Sequence, residues 1–147
     1  MIKYKLAVVG ATGVVGRTVL KVLQEKNLPI SEYVFFASSK SAGKTIHFME
    51  KNYTIKELTE NSFDDKFDFA VFSAGGDTSK KYAPIAVSNG CIVVDNSSAF
   101  RMDPTVPLVV PEVNADDIKK HNGIIANPNC STIQAVPVLK PLDDVYN

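Results

Sequence analysis

Short apolar runs alternate along the chain with stretches in which apolar residues return every three or four positions. Runs rich in Val, Ile and Phe occupy residues 4–9, 33–38, 67–73, 91–95 and 123–128. Helical patterns cover residues 14–24, 77–90 and 130–146, and Pro137 and Pro141 are expected to bend the last of them. Strands that alternate with helices predict a mainly parallel sheet covered on both faces, which is the doubly wound α/β, Rossmann-like fold.

Two segments depart from this alternation. Residues 44–58 alternate apolar and polar side chains and predict a small hairpin, with its turn at Lys51 and Asn52. Residues 101–114 are rich in proline and predict an irregular stretch with one short extended piece at 108–110. Asn114 is then expected to supply the N-cap of a short helix.

Each predicted strand of the main sheet is followed by a loop of small or polar residues. In an open parallel sheet, ligands bind beyond the carboxyl ends of the strands. We therefore expect a single site where these loops meet. The loops begin at Gly10, Ser38, Ser73, Asn96 and Asn127.

Composition narrows the class of protein. The 147 residues suffice for one domain, and sixteen basic residues balance sixteen acidic ones, which gives no electrostatic case for nucleic acid or for a membrane surface. No apolar stretch approaches the roughly 20 residues that span a bilayer, and the N-terminus does not have the pattern of a signal peptide. Two cysteines, with no Cys/His cluster at metal-ligand spacing, predict a reduced, cytoplasmic protein without a metal site.

The first strand-end loop has the pattern of a dinucleotide-binding loop. Its sequence, GATGVVG, places three glycines between a strand and a helix. One glycine permits the tight turn, a second lets the backbone approach a pyrophosphate, and a third lets the helix pack close to the strand. The helix N-terminus offers free N–H groups to the phosphates. The expected contacts are Gly10, Thr12, Gly13, Val14 and Gly16.

The loop after the second strand indicates which dinucleotide binds. NAD-specific domains usually place Asp or Glu at this point to bond the ribose 2′-OH. Residues 37–44, ASSKSAGK, contain no acid. The hydroxyls of Ser38, Ser39 and Ser41 and the cation of Lys40 suit a 2′-phosphate. We therefore expect NADP rather than NAD.

The two cysteines lie in different settings. Cys91 opens an apolar strand, which predicts a small buried side chain. Cys130 follows a Pro-Asn turn in NPNCST and precedes a helix, whose dipole and free N–H groups favour a thiolate. From the residues alone, Cys130 is either a nucleophile or, because cysteine is commonly buried, a core side chain.

Six motifs together resemble those of aspartate-semialdehyde dehydrogenase. They are GATGVVG, ASSKSAGK, FSAGG, DNSSAFRMD, VPLVVPEVN and GIIANPNCSTIQ, and in this order they cover nearly the whole chain. The resemblance implies that Cys130 is the nucleophile that forms a thioacyl intermediate and that Asn129 orients the substrate. It implies that Arg101 binds the phosphate or phosphoryl group, a task that suits a bidentate guanidinium.

The resemblance also implies NADP contacts at several strand ends. Lys40 stands where many relatives carry Arg, and Lys keeps the charge but loses the planar fork, so selectivity for NADP is expected to be weaker. The implied contacts are Ser38, Lys40, Ser73, Ala74, Gly75, Gly76, Asn96 and Ser97.

The implied reaction is the NADPH-dependent reductive dephosphorylation of aspartyl 4-phosphate to aspartate 4-semialdehyde and phosphate, a step toward lysine, threonine and methionine. One alternative is the related reductase of N-acetyl-glutamyl phosphate, whose cysteine is followed by an aromatic residue rather than by Ser131. A non-catalytic NADP-binding module and an interaction domain that needs no cofactor are the others. The intact NPNCST motif and Arg101 favour the dehydrogenase.

The resemblance places the general acid/base histidine in a second domain, beyond the nucleophile. His47 and His121 match no such motif and are expected to be structural or solvent-facing. We therefore expect residues 1–147 to be the cofactor-binding domain of a longer two-domain enzyme, which is incomplete without its second domain and homo-oligomeric at full length. An apolar face that the second domain normally covers is expected to be exposed.

Overall fold

The computed structural model describes residues 3–146 and contains a six-stranded parallel sheet and a two-stranded hairpin. The strands are β1 (Tyr4–Val9), β2 (Ile30–Ala37), β3 (Thr45–Phe48), β4 (Lys51–Thr54), β5 (Lys56–Glu57), β6 (Phe69–Phe72), β7 (Ile92–Asp95) and β8 (Ile124–Ala126). The helices are α1 (Val14–Lys26), α2 (Gly76–Ser88), α3 (Pro111–Asn114) and α4 (Cys130–Tyr146), with a 3₁₀ turn at Ala115–Lys120.

The main sheet carries an apolar layer on each face, because successive residues of a strand point to opposite sides. On one face Ala7 of β1 belongs to a buried cluster with Ala83 of α2. On the other face Val8 of β1 belongs to a cluster with Leu20 of α1. The strand order is β5-β2-β1-β6-β7-β8, so the order reverses between β1 and β6. The predicted doubly wound fold is confirmed, and its ligand crevice is expected at this reversal.

The hairpin turns two residues earlier than predicted. Met49 and Glu50 have φ values of 47° and 60°, as in a two-residue turn with both central residues left-handed. Lys51 and Asn52 instead pair with β3 as part of β4. The prediction was wrong because Met and Glu are not typical of positive φ, whereas Lys-Asn has the composition of a turn.

The hairpin segment ends in an edge strand of the main sheet. Lys56–Glu57 forms β5 and pairs in parallel with the end of β2, where Glu57 lies opposite Ala37. The apolar-polar alternation of residues 44–58 predicts a single hairpin and does not separate this strand from it. The last part of the segment therefore lies at the sheet edge where ligands are expected.

Between β7 and β8 the chain is irregular, as predicted, with a bridge from Leu108 to Ala126. The N-cap predicted at Asn114 is wrong, because no side-chain cap bond is present there. Its Oδ1 accepts a hydrogen bond from Val110 N at 2.7 Å and so closes the preceding turn. The short helix predicted after it is a 3₁₀ turn.

Helix α1 has a left-handed C-terminal cap, and helix α4 contains two prolines. Helix α1 ends at Lys26, and the next residue, Asn27, has a φ of 46°, the left-handed cap that is common at helix C-termini. Helix α4 continues without a break through Pro137 and Pro141, and the bend predicted there stays a prediction. Across residues 3–146, none of the helices combines the length and the apolar character needed to span a bilayer.

Candidate functional site

The loops that follow the parallel strands meet at one edge of the sheet, as predicted. Backbone hydrogen bonds join four of the five loops, all but the one that begins at Ser38, to a neighbouring strand end. These bonds are Gly10 N to Phe36 O at 2.9 Å, Ser73 N to Val9 O at 2.9 Å, Asn96 N to Phe72 O at 2.9 Å and Asn127 N to Asp95 O at 2.8 Å.

A cavity of about 570 Å³, which we call the cleft, opens at this edge beside the ends of β1, β2 and β6. Its size lies within the range of roughly 300–1,000 Å³ that is usual for small-molecule sites. The structure therefore gathers part of the predicted cofactor set into one wall. The predicted residues that line the cleft are Gly10, Thr12, Gly13, Ser38, Ser39, Ser73 and Ala74.

Six residues of the cleft wall are not among the predicted site residues. They are Val9, Ala37, Glu57, Leu58, Thr78 and Tyr82. Glu57 reaches the cleft because β5 pairs with the end of β2, a long-range contact that no local pattern encodes. Among the described residues of the wall, Glu57 is the only one that carries a charge. An acid therefore stands beside the second strand although residues 37–44 contain none.

Gly10 and Gly16 have clear steric reasons to be glycine. Gly10 has a φ of 86°, and a Cβ there would lie 2.7 Å from Ser73 O. A Cβ on Gly16 would lie 2.1 Å from Gly10 O, so α1 can approach β1 this closely only without a side chain at that position. At Gly13 a Cβ would meet Gly10 O at 3.5 Å, an ordinary contact. Among the described residues, no close contact therefore requires glycine at position 13, and the approach of a ligand to its backbone stays a prediction.

Helices α1 and α2 both begin at this edge without a side-chain cap. Gly13 precedes α1 and Gly75 precedes α2, and neither N-cap position has a side-chain hydrogen bond to the helix. The first N–H groups of a helix have no partner inside the helix, and the helix dipole adds partial positive charge there. Because Gly13 also lines the cleft, the start of α1 suits the pyrophosphate of a dinucleotide.

The other predicted cofactor contacts lie outside the cleft wall. Lys40 is exposed on a turn that Ser41 N closes by donating to Ser38 O at 2.9 Å. For every predicted contact outside the cleft wall, binding to a cofactor stays a prediction. The residues of this group are Val14, Gly16, Lys40, Ser41, Gly75, Gly76, Asn96 and Ser97.

A fully buried carboxylate, Asp95, fixes the end of β7. Its Oδ1 accepts hydrogen bonds from Ser79 Oγ at 2.6 Å and from Ser97 N at 3.1 Å, and its Oδ2 accepts one from Ser97 Oγ at 2.7 Å. A buried acid is tolerated when hydrogen bonds replace its hydration. Asp95 thus ties α2 to the loop after β7, and the hydroxyl of Ser97 is engaged inside the protein.

Cys130 is exposed at the first residue of α4. This position excludes the core role that the residue pattern left open. Asn129 Oδ1 accepts a hydrogen bond from Ser131 N at 2.9 Å, which caps the helix, and lies 3.9 Å from Cys130 Sγ. An accessible sulfur at a capped helix N-terminus is a suitable nucleophile, whose assignment stays a prediction.

Cys91 has the opposite environment. Only 2% of the residue is exposed, which confirms the prediction of a core side chain. Burial, with a smaller contribution from Asp68, raises the pKa of the Cys91 thiol to about 12. Cys91 is therefore protonated near neutral pH and unreactive.

Arg101 lies between the loops that follow β7 and β8. Its Nε donates to Asn127 O at 2.9 Å and its Nη2 donates to Asn96 O at 3.2 Å. A guanidinium has five N–H donors, so these contacts leave donors for a ligand. The predicted phosphate contact stays a prediction, and the structure adds a contact with both loops that the sequence did not indicate.

Neither histidine adds a catalytic group to this edge. His47 is exposed on the hairpin, where Nδ1 lies 3.0 Å from Asn52 Oδ1. His121 Nδ1 accepts a hydrogen bond from Gly123 N at 2.9 Å and so holds a turn. Both agree with the expected structural or solvent-facing roles. Among residues 3–146, no group of three or more His, Cys, Asp or Glu side chains could hold a metal ion.

Comparison with known proteins gives a consistent family. Residues 5–121 match the family model described as semialdehyde dehydrogenase, NAD binding domain. The aspartate-semialdehyde dehydrogenase of Aquifex aeolicus is 60% identical over 144 residues, which cover 96% of this chain and 42% of that protein. The chain thus spans about two fifths of the length of this relative.

Solved structures agree with the sequence comparison. Aspartate semialdehyde dehydrogenase II from Vibrio cholerae, complexed with ASA, matches with a TM-score of 0.89 and 47% identity over 97% of this chain and 47% of that one. The Candida albicans enzyme with NADP matches with a TM-score of 0.81 and 28% identity over 99% of this chain and 48% of that one.

Proposed function

The chain belongs to the semialdehyde dehydrogenase family, whose NAD-binding domain it matches, and from this premise we propose that it is the NADP-binding domain of an aspartate-semialdehyde dehydrogenase. Residues 1–147 would then form the first domain of a two-domain enzyme. The relatives' greater length supports this division, since the chain covers 42% of the Aquifex aeolicus protein. The name of that relative also favours the aspartyl enzyme over the N-acetyl-glutamyl-phosphate reductase.

An exposed apolar surface on α4 supports a second domain. This helix has no buried residue, although its sequence is largely apolar. Monomeric proteins rarely leave large side chains of this kind together in water, so a contiguous group of them marks a contact surface. The exposed apolar residues of α4 are Val138, Leu139, Leu142, Val145 and Tyr146.

The cleft is the proposed cofactor site. Gly13 and the uncapped start of α1 would hold the pyrophosphate, and Ser38 and Ser39 would face the adenosine ribose. The Candida albicans relative is a complex with NADP. We propose NADP for this chain as well, with Lys40 near the 2′-phosphate and with selectivity reduced by the nearby carboxylate of Glu57.

Cys130 carries the proposed covalent step. Its thiolate sulfur attacks the acyl carbon of aspartyl 4-phosphate, the S–C bond forms, and the C–O bond to phosphate breaks with release of inorganic phosphate. When bound, the nicotinamide supplies the hydride that reduces the resulting thioester. Collapse of the thiohemiacetal breaks the S–C bond, returns the electron pair to the Cys130 sulfur and releases aspartate 4-semialdehyde.

Residues beside Cys130 would bind and orient the substrate. The donors of Arg101 that its loop contacts leave available suit the phosphoryl oxygens, and Asn129 adjoins the sulfur. The general acid/base would come from the second domain. A homo-oligomeric full-length enzyme in the cytoplasm, where thiols stay reduced, completes the proposal.

One observation carries this function: the exposed sulfur of Cys130 stands at the same sheet edge as a dinucleotide-sized cleft. The test is a titration of the chain with NADPH, followed by nicotinamide fluorescence and by the melting temperature. We expect saturable binding and a rise in melting temperature, because a ligand that binds only the folded state stabilises it. No response at millimolar NADPH would remove the proposed function.

A further inference from the structure

Asn127 connects the two loops that carry the proposed substrate-binding residues. Its backbone N donates to Asp95 O at 2.8 Å, and its Nδ2 donates to Asn96 Oδ1 at 2.6 Å. Its carbonyl oxygen accepts a hydrogen bond from Arg101 Nε at 2.9 Å. Three polar groups of one half-buried residue are thus bonded to the last residue of β7 and to the loop after it.

Arg101 closes these contacts into a ring. Besides Asn127 O, it binds Asn96 O through Nη2 at 3.2 Å. Asn96, Arg101 and Asn127 therefore bond to one another pairwise, and we call this set the bridge. Asn96 N in turn donates to Phe72 O at the end of β6, a strand that borders the cleft. The bridge therefore connects the edge of the cleft to the loop that precedes α4.

The segment from the bridge to Cys130 is short and stiff. Only Pro128 and Asn129 separate Asn127 from Cys130. Pro128 is buried and its ring fixes φ, and Asn129 caps α4 by accepting from Ser131 N at 2.9 Å. With so few free torsions, a displacement of Asn127 would be passed on to the position of the sulfur.

We propose that Asn127 is a positioning residue that sets the place of Cys130 relative to the cleft. It is absent from the described cleft wall, so it acts through Asn96, Arg101 and the start of α4 rather than by touching the cofactor. The inference rests on the proposed function, because the alignment it describes is that of a nucleophile beside a dinucleotide. Small errors in such an alignment are costly: about 1 Å can cost on the order of 100-fold in rate.

The test compares the wild-type chain with Asn127→Leu, which keeps the approximate size but removes the Nδ2 donor. Cys130 is alkylated with iodoacetamide in the presence and absence of NADPH, and the affinity for NADPH is measured separately. In the wild type, NADPH should change the Cys130 labelling rate by about fivefold or more, because the nicotinamide end would lie beside the sulfur. In N127L this effect should be lost, while the dissociation constant for NADPH stays within about threefold, since Asn127 is outside the cleft wall.

Cys91 separates positioning from loss of fold. A variant that merely unfolds more often would expose the buried thiol and speed its labelling, whereas a positioning effect leaves Cys91 protected. Asn122→Leu, an exposed change outside the bridge, is the matched control and should label like the wild type.

Two results would overturn the inference. One is an N127L chain in which NADPH still changes the labelling of Cys130 as in the wild type. The other is faster labelling of Cys91 in N127L in proportion to the loss at Cys130, which would show a role in stability alone. Absence of NADPH binding to the wild type is a separate result. It would remove the proposed function and, with it, the alignment that Asn127 is inferred to set.

Discussion

At the scale of single residues, the charge in the cleft wall is opposite in sign to the one that the loop sequence suggests. Residues 37–44 offer Lys40 and no acid, which predicts NADP. Glu57 enters beside them through the pairing of β5 with β2. A carboxylate near the adenosine ribose favours a 2′-OH and repels a 2′-phosphate. In the proposed binding mode, Lys40 and Glu57 would therefore have opposite effects on the choice between NADP and NAD.

Glu57→Gln is expected to raise the preference for NADP. Removing one negative charge at an exposed position should increase the ratio of NADPH to NADH affinity by about two- to fivefold, the range of surface charge interactions. Dissociation constants of both cofactors provide the ratio, which is insensitive to changes in stability. Glu60→Gln, three residues on and paired with Lys81 rather than lining the cleft, is the control. An unchanged ratio in E57Q would show that Glu57 does not face the ribose.

The buried thiol of Cys91 gives a prediction on alkaline stability. Its pKa is raised from an ordinary 9.0 to about 12 because the fold disfavours the thiolate. The unfolded thiol therefore ionises first, so this stabilisation is complete below pH 9 and is lost as the pH rises toward 12. Between pH 8 and pH 10.5, the melting temperature of Cys91→Val should fall by less than that of the wild type. Parallel losses in both proteins would contradict the raised pKa.

Residue roles could be predicted where they depend on local sequence. Gly10, Gly13 and Ser38 follow from the strand–loop–helix pattern, and the structure brings them to the cleft. Glu57 and the bridging contacts of Asn127 depend on which strands lie side by side, and a local pattern does not contain that information. Predicting these two residues would therefore require knowing which strands pair in the folded protein.

At the scale of elements, the glycine loop joins β1 to α1 with two different steric demands. At Gly16 the helix touches the turn, and an added Cβ would overlap Gly10 O. At Gly13 an added Cβ would make only an ordinary contact with Gly10 O. Helix α1 buries Leu20 and Leu23 on the sheet, and this packing fixes how close its first turn approaches Gly10. Helix α1 can therefore begin at the cleft only because Gly16 has no side chain that would overlap Gly10.

Alanine substitutions at these glycines are expected to diverge. Alanine is the better helix former by about 1 kcal/mol, yet in Gly16→Ala the new Cβ would overlap Gly10 O, so we expect a net destabilisation of about 2 kcal/mol or more. Gly13→Ala should keep the wild-type stability within about 0.5 kcal/mol. Urea unfolding of both variants provides the comparison. Equal stability of G16A and G13A would contradict the close packing of α1 on the loop.

Regular elements were predictable to the extent that their patterns are strong. The continuous apolar run gives β1 at its observed bounds, and the helical spacing gives α1. The hairpin turn at Met49 and Glu50 was missed because its positive φ values are imposed by the pairing of β3 with β4 and not by the residue types. Edge strand β5 is two residues long, too short for any periodicity to show.

At the scale of the whole molecule, the main sheet is covered on both faces, whereas helix α4 is exposed. Both faces of the sheet carry buried clusters, and four of the five strand-end loops are hydrogen-bonded to a neighbouring strand end. Helix α4, in contrast, leaves large apolar side chains in solvent along its second half, from Val138 onward. The predicted exposed apolar face is therefore present. It lies on the same helix as the proposed nucleophile and begins at Val138, eight residues after Cys130.

The central claim is that the cleft at the strand ends binds NADP through the backbone of the glycine loop. Binding of NADPH to Gly13→Val tests it most directly, because the new Cβ would meet only Gly10 O, at an ordinary 3.5 Å, whereas the side chain would fill the proposed path of the pyrophosphate. We expect G13V to melt near the wild-type temperature in the absence of cofactor and to lose NADPH affinity by about 100-fold or more. A folded G13V chain that binds NADPH as tightly as the wild type would contradict the account.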